Sequence, residues 1–171
     1  MKCCVFPGSF DPFTYGHLNI VERALKIFDK VTVLVSLNPG KHPRFTEALR
    51  MVEGIEKTLQ TRSLSDRVKV DILKVNQSVL DYMSNHREEL DNCMNIIRGV
   101  RNVEDIAYEM NLYGQYRYFS HDIRFEFIPI IADPKYAYLL SSVAKEAIRL
   151  KCINEVSEMI PNDVLEVIYN P

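Results

Sequence analysis

The residues Phe6-Pro7-Gly8-Ser9-Phe10-Asp11-Pro12-Phe13-Thr14-Tyr15-Gly16-His17 have the types and spacing of an anion-binding loop. Gly8 lets the backbone turn tightly and approach a ligand closely. Ser9 offers a hydroxyl and a nearby N–H. Gly16 and His17 stand at the start of the helical pattern that follows, where unsatisfied N–H groups and the helix dipole favour negative charge. A histidine there can place a donor on a phosphate oxygen as charge builds up. The loop is neither a Walker A sequence nor GxGxxG, so a dehydrogenase is disfavoured. Further along, Ile97-Arg98-Gly99-Val100-Arg101 sets two arginines about a glycine, which suits bidentate phosphate binding. Asn38-Pro39-Gly40-Lys41 offers a cation on a loop, and Ser141-Ser142 at a helix start can nest a triphosphate. Taken singly, these residues read as a capping histidine, a solvated lysine and ordinary serine caps. The glycine-serine-histidine segment, taken whole, does not.

Such residues need elements to place them. Lys2 to Phe6 is short and apolar, as a strand. Leu18 to Phe28 has helical spacing, with Ile20, Val21, Ala24, Leu25 and Phe28 on one face. Val31 to Leu37 is β-branched and nearly continuous, as a strand covered on both faces would be. The pattern then predicts a loop over 38–45, a helix over 47–59, a strand over 68–75 and a short helix over 79–86 capped by Ser78. A strand over 95–97, a helix over 103–116, a strand over 123–131 and a helix over 141–150 follow, with more helix after 153. Alternation of this kind predicts an α/β fold: a single-domain, open, five-stranded parallel sheet with helices on both faces. Ligands of such sheets lie beyond the carboxyl ends of the strands, where the strand order reverses. The loops to inspect therefore follow Phe6, Leu37, Val75, Ile97 and Ile131.

Composition bounds the function. Of 171 residues, 47% are hydrophobic and 26% charged, enough for a core without staples. Lysine plus arginine number 21 against 23 acidic residues, so no bulk charge draws nucleic acid or membrane and any anion site is local. No apolar run approaches the roughly 18 residues of a membrane span. Pro7 and Gly8 interrupt any apolar leader, and a cytosolic location is expected. Cys3, Cys4, Cys93 and Cys152 show no CxxC spacing and are expected to be packing residues in a reducing compartment. The aromatic run Tyr113, Tyr116, Tyr118 and Phe119 beside Arg117 suits helix packing or a subunit contact better than an RNA-stacking surface.

The strand–Gly-Ser-Phe-Asp-Pro-Phe-Thr-x-Gly-His–helix segment resembles the nucleotidyltransferase superfamily marked by a T/HxGH motif, here Thr14-Tyr15-Gly16-His17. The second superfamily motif, ISSTxxR, has its counterpart in Leu139-Leu140-Ser141-Ser142-Val143-Ala144-Lys145, with Leu140 for the first serine and Lys145 for the arginine. With the loop lysine, IRGxR and Tyr108-Glu109-Met110, the chain resembles the bacterial phosphopantetheine adenylyltransferases from Cys4 to about Arg149. The resemblance implies transfer of AMP from ATP to 4'-phosphopantetheine, giving dephospho-coenzyme A and pyrophosphate in coenzyme A biosynthesis, on a dinucleotide-binding-like fold.

It also implies roles. His17 steadies the pentavalent transition state, and Lys41 and Arg98 are cations on the phosphopantetheine side. Ser9 and Phe10 meet both substrates, and Val79 is an apolar pantetheine contact. Gly99, Val100, Arg101 and Glu109 lie on the ATP side. Tyr136, Ala137, Tyr138, Leu139, Leu140, Ser141 and Ser142 match the second ATP segment. Mg²⁺ would accompany ATP without a dedicated protein ligand, Asp11 serving equally as a turn residue. The family is typically hexameric, and neither nucleic acid nor membrane is implied as a partner. The alternatives are a nicotinate mononucleotide adenylyltransferase, against which IRGxR…YEM and the short length argue, and a non-catalytic ATP-binding module, against which His17 and Lys41 argue.

Overall fold

The structure, a computed structural model, describes residues 1–37, 44–120 and 123–170. Within these, five strands form one parallel sheet: β1 (Cys3–Gly8), β2 (Lys30–Ser36), β3 (Val68–Leu73), β4 (Asn95–Val100) and β5 (Glu126–Ile131), in the order β3-β2-β1-β4-β5. Seven α-helices accompany them: α1 (Tyr15–Ala24), α2 (Ala48–Thr61), α3 (Val79–Asn85), α4 (Val103–Phe119), α5 (Ser141–Arg149), α6 (Ile153–Met159) and α7 (Asn162–Tyr169). Parallel strands require crossovers, and the helices supply them.

Alternation along the strands divides the core. Cys4, Phe6, Val31, Val33, Val35 and Ile97 face one layer, into which α1 sends Leu18 and Val21 and α2 sends Met51 and Ile55. Val5, Leu34 and Ile96 face the other, which α3 covers with Leu80, Tyr82 and Met83 and α4 with Tyr113 and Tyr116. Each such side chain, fully buried, contributes about 1.5–3 kcal/mol. Cys3 and Cys4 are buried, and the cysteines are free thiols. Among the described residues no helix is long and apolar enough to cross a membrane.

The boundaries move in ways that matter for the site. Helix α1 starts at Tyr15, not Leu18, so Gly16 and His17 lie inside its first turn. Strand β4 runs on to Val100, whereas the apolar pattern stops at Ile97. Pairing with β5 through Arg98↔Pro129, Gly99↔Ile130 and Val100↔Ile131 carries it past the arginine. Arg98 and Gly99 are therefore strand residues, not loop residues. A Cβ on Gly99 would sit 2.9 Å from Ile20 Cγ1, so glycine is what lets α1 pack close over β4. Strand β3 ends at Leu73, β5 begins at Glu126 instead of Ile123, and α4 continues to Phe119. Ser78 caps α3 as expected, accepting the Asp81 N–H while Asp81 accepts the Ser78 N–H.

The strand order reverses between β1 and β4. A crevice must open there at the carboxyl ends, and the loops after β1 and β4 form its walls.

Candidate active site

The β1–α1 loop is built around His17. The Thr14 N–H donates to His17 Nδ1 at 3.0 Å, the reciprocal half of a capping box in which histidine replaces the usual acidic residue. A nitrogen that accepts carries no proton, so the proton of the neutral ring sits on Nε2. Three phenylalanines hold the ring. Phe10 meets it edge-on at 5.1 Å, Phe13 stacks at 5.5 Å, and Phe6 lies at 6.4 Å. That apolar wall, followed by the charges of Arg101 and Arg98, pushes the imidazole pKa down to about 3. His17 thus stays neutral with Nε2–H as its donor.

Phe10 reaches His17 at a cost. Its φ of 43° lies in the left-handed region, a strain on the order of 1–3 kcal/mol for a side chain of this size. Its ring folds back over Gly8, where any Cβ would come within 2.8 Å of it. Gly8 is required by this packing.

The cleft has a volume of about 1050 Å³, the size of a nucleotide site. Among the described residues five cations line it, Arg44, Arg98, Arg101, Lys145 and Arg149, against three carboxylates, Asp11, Asp105 and Glu109. A chain of net charge -2 therefore has a positive cleft. Arg98 Nε donates to Glu109 Oε2 at 2.8 Å, and Nη1 donates to Pro7 O. Glu109 is only 7% exposed. Arg101 grips Asp105 with two bonds, 2.7 and 2.9 Å, and its guanidinium holds the Asp105 carboxyl below the usual range. The two arginines stand on adjacent elements with separate carboxylate partners.

The second segment closes the cleft from above. Leu140 caps α5 without a side-chain bond, so the first N–H groups of α5 have no side-chain cap. Ser141 Oγ donates to Pro12 O at 2.9 Å, tying α5 to the β1–α1 loop, so this hydroxyl holds the cleft together instead of standing open for a ligand. Ser142 lines the cleft. Lys145 reaches back to Asp11 at 3.6 Å. Asp11 sits in a turn, but its carboxylate makes a long-range clasp in place of a local Asx contact: Oδ2 accepts from Phe45 N–H and Oδ1 from Thr46 N–H, at 2.9 and 3.0 Å.

The structure brings Ser9, Phe10, His17, Arg98, Gly99, Arg101, Glu109, Tyr136, Leu140, Ser141 and Ser142 to one cleft. Others stand apart. Val79 is buried beside Val5, Leu34 and Leu73 in the core under α3. Val100 is buried at the end of β4, and Ala137, Tyr138 and Leu139 do not line the cleft, although Leu139 O accepts from Thr14 Oγ1 at 3.2 Å. Lys41 lies outside the described residues. Arg44, Phe45, Asp105 and Arg149 line the cleft without having stood out in the sequence, and Tyr108, noted only as part of the motif around Glu109, lines it too. Only Arg149 carried a usable signal, since it falls one helical turn after Lys145 on α5. Tyr113 and Tyr116 pack on Phe125 and Phe127 at 5.7–6.5 Å, which accounts for half of the aromatic run as core.

Comparison with known proteins agrees with this geometry. The cytidylyltransferase-like family model matches residues 5–147. A phosphopantetheine adenylyltransferase of Alkaliphilus metalliredigens is 36% identical over 97% of this chain and 96% of its own length. Another, of Geobacter sulfurreducens, is 38% identical over 85% of this chain and 80% of its own. In fold, the chain is similar to a nicotinic acid mononucleotide adenylyltransferase of Plasmodium falciparum complexed with APC: TM-score 0.66, 15% identity, 98% of this chain and 94% of that one.

Proposed function

Because this chain belongs to the cytidylyltransferase-like family and, within it, to the phosphopantetheine adenylyltransferases, we propose that its cleft transfers AMP from ATP to 4'-phosphopantetheine in coenzyme A biosynthesis. The observation that carries the reading is the neutral His17, its Nε2–H free of any partner among the described residues, on the floor of a positive cleft. An oxygen of the acceptor phosphate attacks the α-phosphorus of ATP in line. The bond from that phosphorus to the bridging oxygen breaks, and pyrophosphate leaves with the electron pair. The nucleophile is already anionic, so no general base is needed, and catalysis consists of positioning and stabilising charge. His17 donates to the α-phosphate. The substrates divide the cleft: the β2 side and Arg98 take the acceptor, while Gly99, Arg101, Tyr136 and Ser142 take ATP.

Mg²⁺ enters as part of the ATP substrate. Among the described residues no three His, Cys, Asp or Glu side chains converge on a metal position, and both Asp11 oxygens are engaged by backbone N–H groups. Bound with ATP, the ion would offset part of the triphosphate charge alongside Arg101 and the other cations of the cleft. A cytosolic location follows from the biosynthetic role.

Pyrophosphate release from ATP, measured with phosphopantetheine and with nicotinate mononucleotide, each with Mg²⁺ and with EDTA, tests the reading. Release with phosphopantetheine and Mg²⁺ supports it; release with nicotinate mononucleotide alone replaces it.

Two features extend the proposal. Lys41, carried by its family resemblance, bridges the nucleophile and the α-phosphate. Lys41→Ala should lower turnover and weaken acceptor binding, and Lys41→Arg should not restore full activity, because a planar fork differs from a compact point charge. Wild-type steady-state constants in Lys41→Ala would remove the residue from the mechanism. The chain also forms homo-oligomers, with a hexamer as the family model. Val103, Ile106 and Met110 make an exposed stripe at helical spacing on α4, 80%, 43% and 61% accessible, and Ile131 on the edge strand β5 adds 65%. Sedimentation should find an assembly that Met110→Glu breaks down. A wild-type monomer at micromolar concentration would contradict it.

A further inference from the structure

Arg44 differs from the other cleft cations. Arg98, Arg101, Lys145 and Arg149 each have a carboxylate within 4 Å, Arg149 from its neighbour Glu146. Among the described residues Arg44 has none. Its guanidinium is satisfied by three backbone carbonyls from three segments: Nη2 to Ser9 O at 2.8 Å, Nη1 to Ser36 O at 3.2 Å and Nε to Thr46 O at 3.0 Å. Asp11 answers in the opposite sense, its two oxygens taking the Phe45 and Thr46 N–H groups. The β1–α1 loop and the segment before α2 are therefore clasped in both directions. A cation holds one side and a carboxylate the other.

The clasp acts where the chain is strained. Ser9 O and Phe10 N–H belong to one peptide plane, so the bond from Arg44 orients both groups. The next torsion is the left-handed φ of Phe10, and a backbone held there persists only when its surroundings over-determine it. Ser9, Arg44 and Phe45 all line the cleft, and the bond from Arg44 Nη1 to Ser36 O at the end of β2 puts this wall on the β2 side. Carbonyl dipoles neutralise a guanidinium only in part, so positive charge remains on that wall.

We propose that Arg44 is a positioning residue for the acceptor side of the reaction, its three-point fork fixing the Ser9–Phe10 peptide against which the acceptor phosphate is held. The proposal rests on the adenylyltransferase reading above and adds a residue to it. Lysine would keep the charge, but a compact ammonium on a flexible stem cannot span three carbonyls in a plane. Arg44→Lys and Arg44→Met should therefore share a defect that falls more heavily on the acceptor than on ATP.

The test is steady-state kinetics on both variants, with thermal melting alongside. Wild-type protein is assayed first with phosphopantetheine and nicotinate mononucleotide, and the acceptor it uses carries the comparison. Failure with phosphopantetheine thus counts against the functional reading, and the Arg44 result is still obtained on the acceptor used. The expected outcome is a KM for the acceptor raised about tenfold in Arg44→Lys, equivalent to about 1.4 kcal/mol, with the KM for ATP within about twofold of wild type. Arg44→Met, where it folds, should match or exceed that shift. Unchanged acceptor KM in Arg44→Lys overturns the proposal. So does an equal rise in both KM values, or a fall in turnover that follows only the loss of folded protein on melting.

Discussion

Replacing His17 with alanine should lower turnover by about 10²–10³ while ATP still binds, the loss expected when one preorganised donor is removed from a charge-developing centre. The geometry accounts for the asymmetry. Nδ1 is committed to the Thr14 N–H, so the ring offers one hydrogen bond, from Nε2. In the ground state the α-phosphate carries its charge whether or not that bond is made, and the arginines share the binding. At the pentavalent phosphorus more charge accumulates next to Nε2, and the bond strengthens. The effect therefore falls on kcat more than on the KM for ATP. His17→Asn, whose amide can donate near the same place, should recover part of the loss. A folded His17→Ala protein with turnover close to wild type would remove the residue from the mechanism.

The same variant has a signature in stability. With the folded pKa pushed down to about 3 from an ordinary 6.5, the native state binds fewer protons than the unfolded chain between those values. His17 therefore lowers stability as pH falls through that window, and its influence is absent above pH 6.5. His17→Ala should lose less stability than wild type between pH 6.5 and 4, as followed by denaturant midpoints. Parallel losses would mean that the ring is not held neutral.

How far the site could be read in advance depends on whether the signal was local. The β1–α1 loop was legible because a turn glycine, a serine and a histidine at the first turn of a helix are constrained by neighbouring backbone. Arg98 and Arg101 were legible as cations, but their element was not. An arginine and a glycine interrupt the apolar pattern of β4, and only its pairing with β5 extends the strand to Val100. Val79 shows the opposite failure: an apolar residue on a short helix fits a ligand wall or a core equally, and here its neighbours are Val5, Leu34 and Leu73. Arg44 had no local signature at all. Its partners Ser9 and Ser36 lie 35 and 8 residues away, and the clasp exists only after β1 and β2 pair. The phenylalanine wall about His17 was missed for the same reason. Phe6 ended a strand and Phe13 stood in the loop in the sequence pattern; both are core in the structure, and the same packing removes the charge from the histidine.

Arg98→Ala should produce two separable losses, and separating them decides what the residue does. The first is structural. Glu109 sits on the buried side of α4 with its carboxylate on Arg98 Nε, the two side chains 10% and 20% exposed. Stranding one partner of a fully buried pair costs about 3–5 kcal/mol. Water can reach the space Arg98 vacates, so a cost on the order of 2 kcal/mol is expected, which in a protein of this size lowers Tm by about 4–8 °C. The second loss is functional: the KM for phosphopantetheine should rise far more than the KM for ATP. Arg101→Ala should do the reverse, because Arg101 stands past the end of β4 against α4, with its own partner in Asp105. Combining Arg98→Ala with Glu109→Gln removes the orphaned charge, and Glu109→Gln alone reports that change by itself. If Arg98 binds the acceptor, the double variant regains much of the lost Tm and keeps the high acceptor KM. If acceptor use returns together with stability, Arg98 acted only by holding Glu109 in place. If Arg98→Ala and Arg101→Ala raise both KM values equally, the division of the cleft into an acceptor wall and an ATP wall is wrong.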